Sequence, residues 1–205
     1  MNEGQRIHWH AWWKAGVDGR LMDLLMKLPR ECWAERDEDS GATLLHYACW
    51  GPNMAAVVAL LQSGLVDVNV HNHGGSTPVH YAAWRMQSRV LEVLCAAGAD
   101  LRARSEDGRS PIDHALRNAK EDGLKTVRAL VANGVRLSTV REDHRRYITP
   151  ELEAFERGVL RCRAAVVAML HVKKAANLYY VDKFLMRELA YAMWATRTDE
   201  RWQNE

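Results

Sequence analysis

The sequence has almost no excess of charge. Lys and Arg number 28 against 26 Asp and Glu, a net charge of +2 over 205 residues. A balance that even does not call for nucleic acid or an anionic membrane as partner. Long apolar runs are missing too. Runs such as Met54 to Leu61 and Ala164 to Leu170 are too short to span a bilayer. The first ten residues, MNEGQRIHWH, lack the apolar core of a signal peptide. Four cysteines (Cys32, Cys49, Cys95, Cys162) stand far apart with no paired spacing. They read as reduced thiols of an intracellular, cytoplasmic protein. No Ser or Cys sits in a nucleophile elbow or beside a plausible triad, and there is no Gly-rich phosphate loop. Nothing argues for catalysis, a cofactor or a metal.

What is present is ordinary in bulk and unusual in detail. Hydrophobic residues make up 48% and charged residues 26%, as in a soluble globular chain of one domain or one short repeat array. Eight Trp stand against two Phe, and there are nine His.

The chain repeats itself. G-A-T-L-L-H-Y-A-C-W-G begins at Gly41, G-S-T-P-V-H-Y-A-A-W-R at Gly75, and G-R-S-P-I-D-H-A-L-R-N at Gly108. Each copy continues into an apolar stretch that ends on a glycine, at Gly64, Gly98 and Gly134. Thr43, Thr77 and Ser110 are good N-caps, since a side-chain oxygen can take an orphan amide. Pro78 and Pro111 follow at the first helical position, where a missing N–H costs nothing. A short helix with small residues (Ala48-Cys49, Ala82-Ala83) leads through a turn to a second, apolar helix such as Met54 to Ser63. The closing glycines sit where a left-handed C-cap is wanted. The third copy carries extra residues within Asn118 to Leu124.

These residues resemble the ankyrin repeat, whose Thr-Pro-Leu-His signature is matched by Thr43-Leu44-Leu45-His46, Thr77-Pro78-Val79-His80 and Ser110-Pro111-Ile112-Asp113. In the third copy Asp113 replaces the histidine. The resemblance implies an all-α solenoid in which His46 and His80 order neighbouring turns by hydrogen bonding. It also implies a non-enzymatic protein-binding module with a rigid concave groove. Terminal repeats of a solenoid drift from the pattern because they close an apolar face to water. The expected organisation is a degenerate N-terminal capping repeat (1–38), repeats at 39–71, 72–104 and 105–137, a loop and degenerate repeat (138–172), and a C-terminal capping helix (173–205). That makes about five helix pairs, the last formed by helices at 151–157 and 159–171 on either side of Gly158.

The last expected helix, Val181 to Arg197, sets Val181, Phe184, Leu185, Leu189, Ala192 and Met193 on one face. The tail from Cys162 onward resembles the C-terminal tails of ankyrin proteins encoded by large DNA viruses of protists. There a Leu-Pro-x-Asp start precedes the helix in the manner of a minimal F-box; here Tyr180-Val181-Asp182 stands without the proline. Two alternative readings follow: a substrate adaptor recruiting a ubiquitin ligase through that helix, and a structural or virion component.

The resemblance also points to the site. The residue at the end of each first helix and its successor face the groove, giving Trp50-Gly51, Trp84-Arg85 and Arg117-Asn118. Stacked repeats align them into one row, with the two indoles about 10 Å apart at the usual spacing of packed helices. Trp and Arg are enriched at interface hot spots. The turn tips add Asp39, His73, Glu106, Asp107 and Arg109. His71 and His73 read as polar turn residues, because no Cys or acid completes a zinc set. His8 and His10, among Trp9, Trp12 and Trp13, read as part of a capping helix. Arg141, His144, Arg145 and Arg146, interleaved with Glu142 and Asp143, read as a solvated loop.

Overall fold

A computed structural model describes residues 9–118 and 123–175. The chain falls into two compact units, divided after Ile148. Among the described residues the structure is helical, with no strand and one isolated bridge between Arg36 and Thr43.

The first unit is a stack of four helix pairs. They are α1 (Trp9–Val17) with α2 (Leu21–Leu25), α3 (Leu44–Trp50) with α4 (Met54–Gln62), α5 (Pro78–Trp84) with α6 (Ser88–Ala96), and α7 (Pro111–Arg117) with α8 (Gly123–Ala132). First helices pack on first helices, α1 on α3 on α5 on α7, and second helices on second helices, α2 on α4 on α6 on α8. The small pairs Ala48-Cys49 and Ala82-Ala83 are buried and let the first helices approach closely. Leu44, Leu45, Leu60, Leu91, Leu94, Ile112, Leu116 and Leu130 fill the space between the layers. Each such side chain contributes about 2 kcal/mol of burial, and Leu91→Ala would cost about 3 kcal/mol through the cavity it leaves. Gly64, Gly98 and Gly134 take positive φ (68°, 86° and 102°) in the turn that ends each second helix, as the spacing requires.

The caps are more elaborate than Thr alone suggests. His46 takes the place that Glu or Gln holds in an ordinary capping box. The Thr43 backbone N–H and hydroxyl both donate to His46 Nδ1, at 3.1 and 3.0 Å. His80 repeats this with Thr77 at 3.1 and 2.9 Å. Because Nδ1 accepts, the proton sits on Nε2, and Nε2–H donates across to the next repeat: His46 to the Ser76 carbonyl (3.0 Å), His80 to the Arg109 carbonyl (3.1 Å). The ordering role that the resemblance implies for these histidines thus has a definite tautomer behind it.

The N-terminal pair is tied down by the first repeat. Asn53, buried in the turn before α4, donates to the Gly16 carbonyl (2.6 Å) and accepts from the Leu21 N–H (3.2 Å). Trp12 holds in α1 the place of His46 in α3, and its ring meets Tyr47 edge-on at 6.4 Å.

After α8 the segment expected as a polar loop forms two 3-10 turns, Leu137–Thr139 and Glu142–Tyr147, the second packed on α7. In the second unit the expected break at Gly158 does not occur. One helix, α9 (Pro150–Ala175), runs straight through it. Thr149 starts it, its hydroxyl accepting the Leu152 N–H at 3.3 Å. A glycine inside a helix costs only about 1 kcal/mol relative to alanine, which a helix of 26 residues absorbs. The expected helix Val181 to Arg197 lies outside the described residues, as do most of the extra residues of the third copy.

Candidate functional site

The ends of α3, α5 and α7 form a contiguous row. Trp50 closes α3 and Trp84 closes α5. Their ring centroids are 5.8 Å apart with planes tilted by 56°. This is closer than the expected 10 Å, because the rings lean toward each other across the helix spacing. Trp50 also meets Tyr81 edge-on at 5.6 Å and is half-buried. Trp84 remains 45% exposed while its other side stacks on His114 at 5.2 Å, with an interplanar angle of 12°. The indoles therefore pack on each other, and one of them still offers its surface to solvent.

Successive repeats are latched along this row. Arg85 Nε–H donates to the Trp50 carbonyl (3.0 Å), and its guanidinium carbon stands 5.2 Å from the Trp50 ring centroid. One repeat on, the Asn118 side chain donates to the Trp84 carbonyl (3.0 Å). Both bonds satisfy a helix C-terminal carbonyl that would otherwise be orphaned. Arg117 is exposed beside them. Gly51 is different. It is buried, and a Cβ there would lie 1.9 Å from the Gly16 carbonyl oxygen of α1. It offers no surface; the α1 backbone at Gly16 packs directly against it.

The turn tips form a separate ladder. His73 N–H donates to the Ser40 carbonyl (2.7 Å), and its Nδ1–H to the Asp39 carbonyl (3.1 Å). Glu106 N–H donates to the Gly74 carbonyl (3.0 Å). Arg109 pairs with Asp107 at 2.6 Å. Ser105 donates to Asp107 and, ahead of the opposing effect of burial, holds that carboxyl below its usual range. His71 donates to the Gly75 carbonyl (3.0 Å), so the two histidines of the His71-Asn72-His73 turn aim at different carbonyls. Among the described residues no group of three or more His, Cys, Asp or Glu could hold a metal ion. His10 and His8 bring nothing here, their side chains lying outside the described set. Arg141 pairs with Asp143 and Arg145 with Glu142.

His114 was not among the expected site residues, although it stands at the repeat offset of Tyr47 and Tyr81. That alignment was the available signal. Burial holds its imidazole below the usual histidine range. Asp113, its neighbour, is fully buried and reverses the polarity of the histidine it replaces. One oxygen accepts the Ser110 N–H (2.9 Å) and hydroxyl (2.6 Å). The other accepts the Arg141 N–H (2.9 Å) and faces His144 Nδ1 at 3.3 Å. Burial pushes this carboxyl up, but the bonds from Ser110, Arg141 and His144 outweigh it, and it stays below the ordinary range.

No disulfide joins any of the four cysteines, and burial pushes the Cys49 thiol far up, so it stays protonated. No helix among the described residues is long and apolar enough to cross a membrane.

Residues 8–105 match a family model described as ankyrin repeats in three copies. The match takes in the α1–α2 pair and ends before Gly108. The chain is 33% identical over 102 residues to the mouse B-cell lymphoma 3 protein homolog, 48% of this chain and 22% of that protein. It is 32% identical over 135 residues to the BTB/POZ domain and ankyrin repeat-containing protein NPR1 of Malus hupehensis, 65% and 22% of the two chains. It is 28% identical over 162 residues to the E3 ubiquitin-protein ligase Ufd4 of Drosophila melanogaster, 72% of this chain and 6% of that one. The chain thus spans 22% or less of the length of these relatives. The matched segment covers the first three helix pairs, and the α7–α8 pair continues the same stack, so the fold of the first unit is an all-α ankyrin-repeat solenoid.

Proposed function

We propose that the repeat array is a non-enzymatic protein-binding module whose partner docks on the row of Trp50, Trp84, Arg85, Arg117 and Asn118. The observation that carries this reading is Trp84. An indole 45% exposed at the end of α5, its ring backed by His114 and Trp50, is a rigid apolar surface held ready for a partner. Little order is lost when such a preset surface binds. Asp39, His73, Glu106, Asp107 and Arg109 at the turn tips form the polar rim of the same groove. The module needs no cofactor and works inside a cell, in the cytoplasm, where its thiols stay reduced; if the tail resemblance reflects a viral origin, that cell is a host.

The test is capture of a partner by wild type, Trp84→Ala and Trp50→Ala, each checked for helical content. Loss of one specific protein with folded Trp84→Ala supports the row. Unchanged capture by both folded variants places the contact elsewhere. The adaptor reading makes a different demand, that truncation of residues 173–205 abolish association with a ligase subunit while leaving capture by the row intact. A relative named as an E3 ubiquitin-protein ligase gives that arm a reason to be run.

A further inference from the structure

Arg85 is not merely a cation near the row. Its Nε–H is committed to the Trp50 carbonyl at 3.0 Å, and its planar head lies against the Trp50 ring at 5.2 Å. Both contacts fix the guanidinium, and its two Nη groups carry no hydrogen bond among the described residues. An arginine held by Nε presents those Nη groups as a fork, the geometry that takes a carboxylate through two parallel bonds. Arg85 is exposed, and Trp84 with its open indole is the residue before it. Arg117, one repeat further, is also exposed. No carboxylate of the described residues pairs with either arginine, whereas Arg20, Arg109, Arg141 and Arg145 are each engaged by an acid. The positive charge left unmatched in this unit thus includes two arginines of the row, next to its apolar surface.

We propose that Arg85 is a carboxylate receptor and Trp84 its apolar neighbour, so that the occupant of the row is a peptide segment carrying Asp or Glu beside an aromatic or branched apolar side chain. This rests on the row being the docking surface. A nucleic acid is disfavoured by the same charges: binding a phosphate backbone takes a run of unpaired cations, and Arg109, Arg141 and Arg145 are already paired with acids.

The experiment selects a displayed library of random dodecapeptides on the full chain and then measures a selected peptide by fluorescence anisotropy. Enrichment of Asp or Glu beside Trp, Phe or Leu is expected. Arg85→Gln should weaken that peptide about tenfold to a hundredfold, the loss that goes with a charge-assisted pair, and Arg85→Lys should fall between. Replacing the peptide's acid by its amide should cost wild type as much and Arg85→Gln almost nothing, because the two changes remove one interaction. Full additivity of the two changes, or enriched peptides without acids, overturns the proposal. So does Trp84-dependent binding of an oligo-dT probe as tight as that of the peptide. If Trp84→Ala abolishes binding while Arg85→Gln does not, the row stands and the receptor falls. If neither variant matters, or no peptide is enriched, both fall.

Discussion

The Asp113 carboxylate faces His144 Nδ1 at 3.3 Å and accepts the Arg141 N–H at 2.9 Å. It thereby joins α7 to the second 3-10 turn after α8, Glu142–Tyr147. In the two preceding repeats a histidine donates at this step; here a carboxylate accepts. Asp113→Ala would leave the Ser110 and Arg141 amides without their acceptor in a buried setting, at a cost of about 3 kcal/mol. Asp113→His, which restores the repeat signature, should destabilise as well, because the imidazole would meet donors. Urea midpoints of the two variants decide it, and a stabilised Asp113→His would show that the polarity reversal is incidental.

Acid should loosen the array well above the carboxylate range. Burial lowers His46 and His80 to about 4 in the folded protein, against about 6.5 unfolded. The unfolded chain therefore binds more protons between those values. Stability is full above about pH 6.5 and falls as the pH drops toward about 4, by about 1.4 kcal/mol per pH unit for each histidine. His114 adds in the same direction. Asp113, held below its usual range by the bonds it accepts, loses its contribution only at lower pH still. Denaturant midpoints measured between about pH 7 and pH 5 should fall steeply; a flat profile would mean the histidines are not held neutral.

The two row tryptophans should separate stability from binding. Trp84 is 45% exposed, so Trp84→Ala should cost about 1 kcal/mol of stability. Trp50, wedged among Tyr81, Trp84 and Arg85, should cost about 2 kcal/mol. Either change should weaken the partner by about 2 kcal/mol or more. The comparison needs affinity and denaturant midpoint on each variant. A Trp84→Ala protein that unfolds readily and, where folded, binds normally would mark the row as core.

Gly51 gives the sharpest steric contrast. A methyl group there meets the Gly16 carbonyl oxygen at 1.9 Å, and a backbone atom cannot swing aside as a side chain can. Gly51→Ala should cost about 3 kcal/mol and loosen α1 from α3. At Gly64 an added Cβ meets nothing within 4 Å, and only the positive φ of 68° is strained. Gly64→Ala should cost about 1 kcal/mol. Thermal melts of the pair check the order, and equal losses would refute the packing argument.

The repeats were legible because their signals are local. A cap, a following proline and a closing glycine are each set by backbone geometry within a few residues, so the sequence of Thr77 to Gly98 nearly spells its own structure. Trp50 and Trp84 were placed at helix ends by offset alone. What escaped depends on partners distant in sequence. Gly51 looks like an open groove position until Gly16 is brought against it. His114 becomes part of the row only when α5 lies beside α7. Residues 138–148 read as a polar loop because nothing local shows that Asp113 supplies an acceptor for Arg141, and Gly158 reads as a breaker although a long helix tolerates it.

The histidine steps give the array a direction of growth. From His46 to Ser76 and from His80 to Arg109, each module hands a proton donor forward to a carbonyl, so its leading and trailing edges are complementary and a further copy could be spliced in without a mismatch. Asp113 breaks that rule, because it hands forward an acceptor. A copy inserted behind it would present a carbonyl to a carboxylate, two acceptors with no proton between them. Duplication within the array is thus permitted by its chemistry, and lengthening past Asp113 is not: a single side chain acts as the stop codon of the solenoid.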